Sequence, residues 1–333
     1  MAHEIGEMFW YGEVPWHGLG RPVSKPLNLD EALAQGGLGW DVRLVPIATA
    51  DGASSPAPQR VAVIREDRAP KQDGRVVGVV HPAFRPLQNR EGGELFDRLF
   101  HPGASKYHTG GYLRNGEVVW LLARLPEDIC VGGDDVVETY LLYSNSHDGS
   151  QPIDIRLTTV RVVCRNTLSF ALNGHSARAF RWRHRDDPSV VEREARAFLD
   201  LTTEHVRASQ RALASLAARP CDDAAFRCFL AALLPDPTPV AVNASPAVAR
   251  SFETRLANAV EARAAIERIR LQGLPDRSIP ADSPTWWGAV NAVTAWVDHA
   301  QAIKGNRYAH ALFGAGDRLK SRAFEMATER TAD

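Results

Sequence analysis

Residues 136–158 read VVETYLLYSNS–HDGS–QPIDIRLT. Two strand-like runs, Val136–Ser146 and Gln151–Thr158, flank the turn His147-Asp148-Gly149-Ser150, which carries Asp-Gly at its centre. That dipeptide between apolar runs is a strong short-range hairpin signal, because both central positions of the favoured turn need a left-handed backbone. In the second run Ile153, Ile155 and Leu157 alternate with Asp154, Arg156 and Thr158, which predicts one buried face and one polar face. Just upstream the pattern recurs: Lys106–Leu113 and Glu117–Leu125 flank Asn115-Gly116. Consecutive hairpins predict an antiparallel sheet.

Toward the N-terminus, Trp40–Val45, Arg60–Arg65 and Val76–Val80 read as further strands, separated by breakers such as Asp51-Gly52 and Pro56-Ala57-Pro58. A short helix is expected from Asn28, a capping residue followed by Asp30 and Glu31, to Gly36-Gly37. A second helix is expected over Asn89–Phe100, burying Leu95, Phe96 and Leu99. The aromatic-rich opening, with Phe9, Trp10, Tyr11 and Trp16 beside glycines, predicts a segment packed onto the body.

Beyond the second hairpin, Val160, Val163, Cys164, Thr167, Leu168, Ala171 and Leu172 recur at helical spacing. A helix is therefore expected from Thr159 to Asn173-Gly174, with Arg161 and Arg165 neighbours on its exposed face. Ala177–Arg185 returns to period two, with Phe180, Trp182 and His184 on one side and Arg181, Arg183 and Arg185 on the other. From Asp187-Pro188 onward the pattern is helical: Pro188–Ala218, Asp222–Leu234, Pro246–Gln272, Pro284–Ala302 and Tyr308–Glu329. The expected fold class is α+β, an N-terminal antiparallel-hairpin sheet with crossing helices and then a mostly helical C-terminal region. The expected domains are 1–186 and 187–333.

Charge is unevenly spread. Between Arg156 and Arg185 stand seven arginines (Arg156, Arg161, Arg165, Arg178, Arg181, Arg183, Arg185) and two histidines, His175 and His184, with no acidic residue. The chain has a net charge of -1, so the remainder holds 32 basic against 40 acidic residues. A basic island on an acidic chain is the footprint of a polyanion site. Arginine to the exclusion of lysine suits forked phosphate contacts and stacking, with Trp182 the candidate for stacking a base. The competing reading is a solvated face, or arginines paired with acids of the same fold.

Motifs for catalysis are weak. Ser146-His147-Asp148 cannot form a relay from three consecutive turn residues, since a relay needs groups converging from separate elements. His147, Asp148 and His17 remain the catalytic candidates. The other histidines are scattered, Asp298-His299 with His310 fits no ligand spacing, and neither a metal site nor a cofactor is expected. Gly314–Lys320 is glycine-rich but lacks the ending of a phosphate loop. The cysteines Cys130, Cys164, Cys221 and Cys228 form no CxxC pair and are expected as buried free thiols. Glu4, Glu7 and Glu13 stand where a secretory signal would carry basic and apolar residues, so the expectation is a cytoplasmic protein with no membrane contact.

The segments MAHEI, WHGLG, YLLYSNSHDGS, TTVRVVCRNTLSFAL, TWWGAVNAVTAWVDH and LFGAGDRLK together resemble the phage/plasmid-like family of unknown function. The resemblance runs from Met1 to about Lys320, with Asn145, His147, Asp148, Arg161, Cys164, Asn166 and Thr167 in its most characteristic stretch. It implies a mobile-element setting, in which nucleic acid is the natural polyanion. The leading expectation is a non-enzymatic nucleic-acid-binding protein, favouring single-stranded DNA, with self-association as a further expectation. The alternatives are an enzyme acting on nucleic acid or a phosphorylated substrate, and a structural or oligomerisation protein.

Overall fold

The computed structural model describes residues 5–12, 19–48, 56–99, 106–126, 128–131, 135–161, 167–169, 179–184, 186, 193–194, 197, 202–241, 245–273, 284–302, 310 and 314–331. The fold is α+β, with the sheets N-terminal and the helices concentrated in the C-terminal half. Residues cluster into two compact units. The first comprises Met1–Glu127, Thr139–Thr158 and Gly174–His205; the second comprises Asp128–Glu138, Thr159–Asn173 and Val206–Asp333.

In the first unit both expected hairpins form. The strands β6 (Lys106–Leu113) and β7 (Val118–Arg124) pair antiparallel around the Asn115-Gly116 turn, where Arg114 and Gly116 take positive φ. β7 then pairs with β9 (Asp135–Ser146), and β10 (Ile153–Arg161) lies next to β9. On its far edge β10 pairs antiparallel with β12 (Ala179–Trp182). The aromatic N-terminal segment is itself a strand, β1 (Ile5–Tyr11), between β6 and the short parallel β2 (Arg21–Val23).

Two helices cover this sheet. α1 (Leu29–Gln35) begins in a capping box: the Glu31 amide donates to the Asn28 side chain, and the Asn28 amide donates to the Glu31 carboxylate. α2 (Asn89–Leu99) buries Leu95 and Phe96, and Phe96 meets Tyr107 and Tyr143 at ring distances of 6.1 and 5.7 Å. Glycines allow close approach here. A side chain at Gly92 would collide with the Tyr143 ring, and one at Gly93 with Leu29.

The strands β3 (Val42–Ala48), β4 (Pro56–Arg65) and β5 (Val76–Val80) form a second, antiparallel sheet. It docks where the two hairpin turns of the large sheet lie side by side. The His147 amide donates to the Glu117 carbonyl, joining the turns. A Cβ at Gly78 would stand 2.6 Å from the Asp148 backbone, so only glycine lets β5 lie on that turn. Arg65 locks the junction from within: its guanidinium forks onto Asp67, donates to the Asn115 carbonyl at 2.6 Å, and lies 4.0 Å from the Trp40 ring.

One expected helix does not form. Residues 159–161 continue β10, and Thr167–Ser169 is a short strand, β11, beside β10. Thr158, Thr159 and Val160 are β-branched and extend the pleated strand they follow, whereas the i, i+3, i+4 pattern of a short apolar run fits either state. Arg161 is therefore a strand residue, not a helical neighbour of Arg165; residues 162–166 and 170–178 lie outside the described ones. A second correction concerns β10: its polar face is covered too, with Asp154, Arg156 and Thr158 all buried.

In the second unit β8 (Ile129–Val131) pairs with the first residues of β9. The helices there are α3 (Thr202–Ala218, which starts in the first unit), α4 (Asp223–Leu233), α5 (Pro246–Gln272), α6 (Trp286–Ala295) and α7 (Ala315–Glu329). The capping positions match the chain's signals: Asp222, Ser245 with Pro246, and Thr285 each accept a hydrogen bond from the first turn. α6 is buried along its length and ends in a π-helical turn, Trp296–Ala300, that carries Asp298. Lys320 is buried in a 2.7 Å ion pair with Asp298, which removes it from any surface phosphate role. Among the cysteines, Cys221 is buried but Cys130 and Cys228 are exposed, contrary to the expectation of buried thiols, and Cys164 lies outside the described residues.

Candidate functional site

The HDGS turn, which decides the hairpin, also builds the floor of a cleft. Asp148 accepts from the Ser150 amide at 2.9 Å and from its hydroxyl at 2.6 Å, closing a local turn that holds Gly149 at φ 71°. The Ser146 hydroxyl donates to the Gln151 carbonyl and accepts from the Gln151 amide, which locks the start of β10. Opposite this turn stand the end of β5 and the segment His81–Pro86. The third wall is the chain leaving β12. Together they enclose a cleft of about 550 Å³, lined among others by Arg60, Val80, Phe84, Asp148, Arg183 and His184.

Hydrogen bonds and a ring contact tie the cleft wall together. His184 is buried; its amide oxygen accepts from the Arg85 N–H at 2.8 Å, and its ring Nδ1 donates to the Arg85 carbonyl at 3.3 Å. The same ring stacks on Phe84 with centroids 4.3 Å apart and planes 30° off parallel. Burial lowers the His184 pKa, outweighing the nearby Arg85 and Gln151 carbonyls, so the ring is neutral near pH 7. Arg60 and Arg183 are both exposed, and neither guanidinium pairs with a carboxylate among the described residues; Arg60 donates to the Gln59 carbonyl, and the Arg183 backbone N–H donates to the Asp186 carboxylate. A second hollow of about 330 Å³, lined by Leu87, Ile153 and Trp182, shares Arg183 and His184 with the first.

The arginines of the basic island have different fates. Arg183 is on the cleft rim. Arg181 is exposed but pairs with Asp154, which sits opposite it in the β10–β12 register. Arg156 is buried against the same carboxylate at 2.7 Å, so it is withdrawn from the surface. The side chain of Arg161 and all of Arg165, Arg178 and Arg185 lie outside the described residues. Trp182 is buried beside Phe180, with ring centroids 5.2 Å apart, and faces the second hollow instead of the arginine side. The alternation read from sequence holds: Phe180, Trp182 and His184 turn inward, and Arg181 and Arg183 turn out.

His147, one of the three catalytic candidates, is fully buried and does not line the cleft. Its Nε2 is 2.9 Å from Asn89 Oδ1, while Asn89 donates to the Leu38 and Trp40 carbonyls. Desolvation, helped by His184 and Arg65, lowers its pKa to about 3. It is a neutral strut between α2, the Trp40 ring ahead of β3 and the turn. His17 lies outside the described residues. Thus His147 and Asp148 point to different places, and the geometry assembles no relay from them. Among the described residues no group of His, Cys, Asp or Glu is placed to hold a metal ion. Sequence reasoning missed Arg60 and Phe84. The one local signal for Phe84 was its place in His81-Pro82-Ala83-Phe84-Arg85-Pro86, a proline-bounded loop carrying an aromatic residue.

The architecture defines an α+β protein with a rigid, aromatic and arginine-bearing cleft at the turn end of its main sheet. The chain belongs to the family described as a domain of unknown function, DUF932, whose model matches residues 76–324, about 75% of the chain. Neither the curated proteins nor the solved structures hold a match to it. No described helix is long and apolar enough to cross a membrane.

Proposed function

We propose that the protein binds nucleic acid, single strands in preference, without catalysing a reaction on it. The observation that carries this reading is the pair Arg60 and Arg183, exposed guanidiniums from two different elements, free of carboxylate partners among the described residues and lining one cleft. Unpaired arginines around an aromatic wall suit phosphate and base together. The resemblance to phage/plasmid-like proteins supports nucleic acid as the polyanion. Arg181 adds positive charge beside the cleft, tempered by Asp154.

Fluorescence anisotropy with labelled single- and double-stranded oligonucleotides across a salt series tests this. Binding should weaken steeply with salt, and replacing Arg60 and Arg183 by Ala should reduce the slope of log K against log salt by up to about 1.5 units, since each phosphate contact on a single strand contributes about 0.7. No binding at low salt would remove the proposal.

A second reading has one specific observation in its favour. Asp154 pairs with the buried Arg156 and the exposed Arg181, as an arginine-rich segment built for internal pairing would. Salt-insensitive self-association with no affinity for oligonucleotides would favour that structural role.

A further inference from the structure

Resting on the nucleic-acid reading, we propose that the cleft between β5, the 148–152 turn and the end of β12 receives one unstacked nucleobase, packed on Phe84, with the adjoining phosphates held by Arg60 and Arg183. The volume, about 550 Å³, lies within the range of small-ligand pockets and leaves room for a base and part of its sugar. Its lining has the right mixture: Val79, Val80, Phe84 and Pro152 supply apolar surface, and Gln151 and Ser150 supply hydrogen-bonding groups.

Phe84 is prepared for stacking. His184 backs its ring at 4.3 Å, and two hydrogen bonds to Arg85 hold His184 in place, so little side-chain freedom is lost on binding. Gly149 keeps the approach open: a Cβ there would stand 3.2 Å from Val80 and 3.8 Å from the Phe84 ring edge. The one carboxylate in the lining, Asp148, is fixed on its own turn by Ser150 and is outnumbered by the two arginines. A base stacked within a duplex cannot present its face to such a cleft, whereas a base in a single strand can. The cleft would therefore be the source of preference for single strands, and the arginines the source of affinity.

The test compares a single-stranded oligonucleotide with an abasic strand of equal length, which keeps every phosphate and lacks the bases. The expected result is tighter binding of the base-bearing strand by roughly tenfold, the scale of one aromatic stacking contact. Phe84→Leu should erase that difference, and Phe84→Trp should restore it. Ala83→Trp, at an exposed position of the same wall, fills the hollow without entering the core and should likewise erase the difference. It keeps the idea testable even where Phe84→Leu fails to fold. Equal affinity of the wild type for both strands would overturn the base cleft while leaving the nucleic-acid reading intact. Binding of neither strand would overturn both. Adenosine monophosphate distinguishes the sources of the nucleotide. Binding of the monomer as tight as that of the strand supports the cleft and assigns it to free nucleotides; much weaker binding supports it as part of a strand site.

Discussion

His147 is the residue at which sequence and structure give different meanings to one position. In the chain it stands in a turn, next to Ser146 and Asp148, where a histidine invites a chemical role. In the fold it is buried between Asn89 and the Trp40 ring, 5.2 Å away, and its pKa falls to about 3. A histidine held neutral has a pH consequence with a definite sign. Its folded pKa lies below the unfolded value near 6.5, so the unfolded chain takes up the proton first as pH falls. Stability should be unaffected by His147 above about pH 6.5 and should decline between there and about pH 3, by roughly 2 kcal/mol at pH 5 from this group alone. His108, lowered to about 4 by burial and Arg124, acts in the same direction. Urea unfolding at pH 7 and pH 5 measures this, and His147→Gln should flatten the dependence. Asn89→Ala removes the partner of His147 and two carbonyl contacts at once; thermal denaturation should show a loss of about 1–3 kcal/mol.

At the scale of elements, the β10–β12 pair rests on Asp154. One buried carboxylate meets the buried Arg156 and the half-exposed Arg181. Removing the acid takes a carboxylate partner from a buried arginine, which costs far more than loss of a surface pair. Asp154→Ala should therefore destabilise by about 3–5 kcal/mol, whereas Arg181→Ala should cost under about 1 kcal/mol; equal effects would show that Arg156 is not buried as described. Hydrogen exchange on Phe180 and Trp182 should accelerate in the Asp154 variant. Gly78 makes a parallel case for the docking of β5. Gly78→Ala places a methyl group against the His147 and Asp148 backbone and should loosen the turn that floors the cleft, seen as lower affinity for single strands together with a lower melting temperature.

For the whole molecule, patterning was read well where it was local. The hairpin turns, the helix starts at Asn28, Asp222 and Pro246, and the α+β ordering follow from dipeptides and periods that act within a few residues. The error at 159–161 and 167–169 arose where that local information was ambiguous and pairing with a neighbouring strand decided between two periods. The candidate site was legible only in part. Arg183 was found through the charge island, and the inward turn of Trp182 through alternation. Arg60 and Phe84 were not, because nothing near either residue records that β4, the His81–Pro86 loop and β12 meet.

By itself, then, the sequence determined the two hairpins, the β3–β5 strands and the helix starts, and that positive charge is concentrated between Arg156 and Arg185. Those properties reside in neighbouring residues, whose sterics and hydrogen bonds do not wait for the rest of the chain. Tertiary structure alone decided which of the charges remain available. It buried Arg156 on Asp154, left Arg60 and Arg183 facing one cleft, and turned His147 from a candidate acid–base group into a neutral strut. The reason is that burial and pairing are properties of juxtaposition: Asp154 and Arg156 are neighbours on one strand, but Arg181 reaches Asp154 from 27 residues away, His147 meets Asn89 from 58, and Arg60 and Arg183 share a cleft from more than 100.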